Sequence, residues 1–77
     1  MQVKEYFTRC EGQLSRSPTE LRRTCFALRR NGVETMEELC RLLGQEPKKL
    51  SELRDVGAKS LAIIAEVCDS YGSTEKG

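Results

Sequence analysis

Apolar residues in this chain return every three or four positions rather than every second one, which is the signature of helices and not of strands. Val3, Tyr6, Phe7, Cys10 and Leu14 predict a first short helix ending near Gly12, its aromatics packed onto the main body. Ser17-Pro18-Thr19-Glu20 then reads as a helix start: Ser17 caps, Pro18 suits the first helical position and Glu20 completes a capping box. On the helix it opens, Leu21, Thr24, Cys25 and Leu28 share one side. Arg23, Phe26 and Arg30 point away from that side, with Arg22 and Arg29 at a flank. Asn31-Gly32 supplies the C-terminal cap and Val33 returns to the core.

Thr35-Met36-Glu37-Glu38 is a second capping box, opening a helix with Met36, Leu39, Cys40, Leu42 and Leu43 and closing at Gly44. Glu37 and Glu38 in its first turn suit the helix dipole. After the turn Gln45-Glu46-Pro47, a short helix is expected to run from Pro47 through Leu53. The last helix is expected from about Ala58 to Tyr71, with Leu61, Ile64, Ala65 and Cys68 inward and Gly72 as its cap. Between those two helices, Arg54-Asp55-Val56-Gly57 forms a corner in which Gly57 is the hinge, since a residue without Cβ turns tightly and allows close approach. The pattern predicts an all-α fold, a compact bundle of four to five short helices with a C-terminal helix-hairpin-helix motif. Its divisions are a helical extension over residues 1–14, the main domain over 15–72 and a disordered polar tail over 73–77.

Charge adds a division that the apolar pattern does not show. The net charge is only +1. Yet residues Arg16 to Arg30 carry five arginines against Glu20 alone, whereas Asn31 to Pro47 holds Glu34, Glu37, Glu38 and Glu46 against Arg41. A basic face beside an acidic one is expected to meet different neighbours. The four cysteines, Cys10, Cys25, Cys40 and Cys68, form no C-x-x-C pair and have no histidine beside them, so neither a metal site nor a cofactor is expected. No nucleophile–base pair stands at usable spacing, so no catalytic residues are assigned and an enzyme is not expected. With no secretory signal and no membrane-length apolar run, a reduced cytoplasmic setting is the expectation.

One constellation carries binding chemistry. Lys59 and Ser60 follow Gly57 in the first turn of the last helix, where free amides, an ammonium and a hydroxyl together suit a phosphate. The corner also has an echo: Leu28, Arg29, Gly32 and Thr35 repeat the offsets of Leu53, Arg54, Gly57 and Ser60, twenty-five residues apart. Both copies read as helix, glycine corner, helix.

These two signatures, LRRNGVETMEEL (Leu28 to Leu39) and LRDVGAKSLAII (Leu53 to Ile64), carry a resemblance. Residues Arg22 to Cys68 resemble the C-terminal domain of the bacterial RNA polymerase alpha subunit, a small helical domain with a helix-hairpin-helix motif. The resemblance implies weak binding to the minor groove of A/T-rich double-stranded DNA and contact with the transcription machinery or a regulator. It also implies roles: Arg23 enters the groove, and Gly57, Lys59 and Ser60 hold phosphates. Beside them, the charges of Arg22, Arg30 and Lys49 are expected to give flanking support. The chain departs from the family where Phe26 and Ala27 replace an asparagine and a cysteine, where Ala58 replaces a basic residue, and where Ile63 replaces an acidic one. Arg22 stands where the family buries an aliphatic. These departures support a second expectation, a protein-interaction module that keeps the fold but has lost DNA binding, its surface built from Phe26 and Ile63 with Tyr6 and Phe7.

Overall fold

The computed structural model describes residues 1–75, and helices fill most of them: α1 (Val3–Cys10), α2 (Pro18–Arg30), α3 (Met36–Gln45), α4 (Pro47–Glu52) and α5 (Ala58–Glu75). Among the described residues there is no strand, only an isolated antiparallel bridge between Gln2 and Thr35. The all-α bundle is therefore the fold, and a single hydrophobic cluster runs through every helix.

The first helix belongs to that cluster. Val3, Tyr6, Phe7 and Cys10 fall at i, i+3, i+4 and i+7, and all four are buried. Their neighbours include Leu21, Leu28, Met36, Leu39, Leu50, Ile64 and Val67, each fully enclosed. Tyr6 and Phe7, each 2% exposed, therefore build the core and not a partner surface. The chain start is also tied down by its backbone: the Val3 amide donates to Glu34 (2.9 Å) and the Met36 amide to Met1 (2.8 Å).

Glu37 gathers that end of the molecule. Its carboxylate accepts from the Met1 ammonium at 3.0 and 3.2 Å and from the Tyr71 hydroxyl. The Tyr71 ring meets Tyr6 edge to face with centroids 5.1 Å apart, and Tyr6 shares a 2.9 Å hydroxyl bond with Ser70. This anchoring carries α5 past the expected stop. Gly72 does not cap the helix, which continues to Glu75; the expected tail is helical over 73–75, and Lys76 and Gly77 lie outside the described residues.

The buried face of α5 also differs from the expected one. Ile63, Ile64, Val67 and Cys68 turn inward, and Ala65 is exposed. Two faces offset by one position fit the same apolar spacing, and the one richer in large branched side chains buries more area. Ile63 at 2% exposed is thus a core residue rather than part of a partner surface.

Both predicted caps form, but among the described residues neither glutamate closes its box. Thr35 caps α3 as expected, its hydroxyl accepting from the Glu38 amide (3.2 Å). Ser17 caps α2 through the Thr19 amide (3.2 Å), but Glu20 does not close the box; its carboxylate pairs with Lys59. At the far end of α2, Gly32 takes φ +85°, the Gly32 amide donates to Arg29 and the Val33 amide to Leu28, the Schellman pattern that turns Val33 into the core. The corner before α5 holds a further correction. Asp55, not Gly57, adopts the left-handed conformation (φ 66°), which a short polar side chain tolerates. A Cβ at Gly57 would meet nothing within 4 Å, so the corner does not need glycine for its own geometry. Gly57 instead precedes α5 and its carbonyl accepts from the Leu61 amide (2.9 Å).

What fixes the corner to α2 is Asn31. Its side-chain amide donates to Ala27 (2.7 Å) and to the Arg54 carbonyl (3.0 Å), and its oxygen accepts from the Arg54 amide (3.3 Å). Asn31→Ala removes all three bonds and is expected to lower the unfolding free energy by roughly 1–3 kcal/mol in urea denaturation, with faster hydrogen exchange at the Arg54 amide. The Glu37 cluster predicts an acid dependence. Hydrogen bonding from Tyr71 first, then from backbone and from the Met1 amine, brings its pKa from 4.5 down to about 2. A depressed carboxylate stabilises the fold above the unfolded pKa and loses that contribution as pH falls toward the folded one. Glu37→Gln should therefore narrow the stability difference from wild type between about pH 4.5 and about pH 2 in acid titrations followed by circular dichroism.

Candidate nucleic-acid interface

Because Asn31 locks the corner against the end of α2, the N-terminus of α5 lies beside the middle of α2, and an open groove of about 710 Å³ runs between them. Arg22, Arg23, Phe26, Lys59 and Ser60 line it, over a floor that includes Ala27 and Ile63. The guanidinium helix and the hairpin corner thus face the same side. Among the described residues, no acceptor meets the amides of Ala58, Lys59 or Ser60, so the first turn of α5 presents free donors beside the groove.

The cations on the groove are not equivalent. Lys59 lies 3.1 Å from the Glu20 carboxylate. Arg22, whose side chain is 72% exposed, forks onto Glu11 with two 3.1 Å contacts, which raises the pKa of its guanidinium further. Leu21, not Arg22, is the buried residue at that turn. Arg23 has no ion-pair partner among the described residues and stands exposed between these two pairs. Asp55 adds a carboxylate to the lining, so the groove mixes charge signs over an apolar floor rather than forming a continuous positive channel.

Beyond the groove, the outward side of α2 carries Arg22, Arg23, Arg29 and Arg30 around Phe26, all five exposed. Phe26 is 61% exposed, and the Arg30 guanidinium sits 5.7 Å from its ring centroid. Arg30 therefore flanks the site through Phe26. Lys49 does not join it: it pairs with Glu46 (3.5 Å) and lines a different recess with Arg41 and Glu52.

Two groove residues were hidden from the sequence reading. Glu20 was absorbed into a capping box, and Asp55 into a corner assigned to Gly57. The cysteines contribute no chemistry to the groove. Burial pushes the Cys10, Cys25 and Cys68 thiols up, and Cys68 is raised further by its bond with Cys40, so these three stay protonated. Among the described residues no cluster of His, Cys, Asp or Glu suits a metal ion, and no helix is long and apolar enough to cross a membrane.

Compared with protein-family models, curated proteins and solved structures, the chain matches none of them.

Rim and floor should separate in denaturation. Arg23→Ala and Lys59→Ala are expected to shift the unfolding free energy by less than about 1 kcal/mol, because exposed charges and their pairs add little. Ile63→Ala, on the floor of the same groove, should cost about 2–5 kcal/mol.

Proposed function

We propose that this chain is a DNA-binding, transcription-associated module that grips duplex DNA without catalysis, in the manner of the RNA polymerase alpha-subunit domain it resembles. The observation that carries the reading is the convergence of Arg23, Lys59 and Ser60 on one groove at the open end of α5. In this reading the Arg23 side chain enters an A/T-rich minor groove, where negative potential is strongest. The amides of α5 and the Ser60 hydroxyl take one phosphate, and the Lys59 ammonium turns from Glu20 to the same strand. Gly57 lets that strand approach, since a Cβ placed there would meet nothing within 4 Å among the described residues.

Affinity is expected to be low. Lys59 and Arg22 already have carboxylate partners that a phosphate must displace, so only part of the basic face gains charge pairing on binding. A single domain making about three phosphate contacts binds with a Kd of roughly 10⁻⁴–10⁻⁶ M, with a slope near −3 for log K against log salt.

A second reading, a protein-interaction module, is favoured by one observation, the exposure of Phe26 on the face that DNA would otherwise meet. With Ile63, Tyr6 and Phe7 buried, that surface is reduced to Phe26 and its arginine neighbours.

Fluorescence titration of a labelled A/T-rich duplex at two salt concentrations separates the readings. DNA binding predicts salt-sensitive binding that Arg23→Ala weakens at least fivefold while Arg41→Ala leaves it nearly unchanged, on the order of the ~1 kcal/mol of one charged contact. No binding at low salt, or equal losses for the two variants, rejects it.

A further inference from the structure

We propose that Phe26 is a wedge that inserts at a base step of duplex DNA, so that the protein favours deformable TA-rich duplex over stiff A-tracts. This rests on the DNA-binding reading above and adds to it the residue that senses deformability.

Phe26 is the large hydrophobic side chain that the described residues leave exposed, at 61%. It stands one helical turn beyond Arg23, on the same side of α2. Its ring forms a ridge, because it lines both the 710 Å³ groove and a smaller recess of about 240 Å³ bordered by Lys4, Arg22 and Arg29. Cations border the ring on both sides and outnumber the carboxylates Glu20, Asp55 and Glu11 that share the two recesses, with Arg30 against its face.

That setting selects the occupant. A second copy docked through Phe26 would bring two arginine clusters together, and like charges facing one another oppose association. A duplex satisfies both components, with phosphates for the arginines and flat base faces for the ring. Minor-groove proteins use such apolar side chains to part adjacent base pairs, and pyrimidine–purine steps such as TA unstack at least cost. An arginine alone would favour the narrow groove of an A-tract. A wedge beside it penalises the A-tract for its stiffness, so the two residues together favour alternating TA sequence.

The test uses the full chain with two duplexes of equal length and A/T content, one alternating TA and one an A-tract, each carrying a 2-aminopurine reporter. Wild type is expected to bind the TA duplex about tenfold more tightly and to raise its 2-aminopurine fluorescence as the base unstacks. Phe26→Ala should erase both the preference and the fluorescence rise while retaining salt-dependent binding to each duplex, and Phe26→Leu should restore part of the preference. Phe26 is exposed, so an unchanged thermal melt verifies that the variants fold. If Phe26→Ala binds with the same preference and the same fluorescence response, the wedge is wrong, and the ring is left for a protein surface. If binding depends on Arg23 but neither duplex is favoured, the wedge alone falls. If neither duplex binds at low salt, the wedge falls together with the DNA reading.

Discussion

The side-chain amide of Asn31 turns two helices into a site. Through Ala27 on one side and both backbone groups of Arg54 on the other, it fixes the end of α2 to the corner that launches α5. Hydrophobic packing of Leu28, Ile63 and Ile64 brings the helices together, but apolar contact is not directional. The two hydrogen bonds from Asn31 to Arg54 are directional, and with the third holding the Asn31 side chain on α2 they set where the free amides of α5 lie relative to Arg23. The strained residue of the corner, Asp55, sits directly after the clamped one. Holding Arg54 at both its amide and its carbonyl is a physical means of stabilising a left-handed neighbour.

The electrostatics of the groove follow from that placement. Bringing the α5 N-terminus beside α2 also brings Lys59 within reach of Glu20, while the start of α2 and the end of α1 set Arg22 against Glu11. The result is a surface whose positive charge is partly neutralised from within. Such pairs stabilise the fold little when exposed, yet they compete directly with an incoming phosphate. Arg23, lacking a carboxylate partner among the described residues, is where an added anion gains most.

Much of this architecture was legible in the chain itself. Strict helical spacing identified α1, and the Asn31-Gly32 pair marked a helix end that a positive φ requires. Helix phase puts Arg23 outward and the helix start puts Lys59 and Ser60 in the first turn of α5, both local properties; it is the family resemblance that groups the three, and they line one groove. What failed was tertiary. The inward face of α5 could not be chosen between two phases one residue apart, so Ile63 was placed outside and Ala65 inside. Lys49 was grouped with the site by charge alone, and α4 carries it to another recess. Gly57 was read as the turning residue because glycine is the usual one, whereas Asp55 makes the turn. Glu20 and Asn31 each had a local explanation, a capping box and a cap, that concealed a contact far along the chain.

The central claim is that one face, made by α2 and the open end of α5, meets DNA. Amide chemical shifts followed by NMR during titration with an A/T-rich duplex address it residue by residue. The account predicts that Gly57 to Ser60 and the α2 amides from Arg22 to Phe26 move together along one saturation curve, while Arg41 and Lys49 stay in place. Shifts confined to α3 and α4, or none at any duplex concentration, would contradict it.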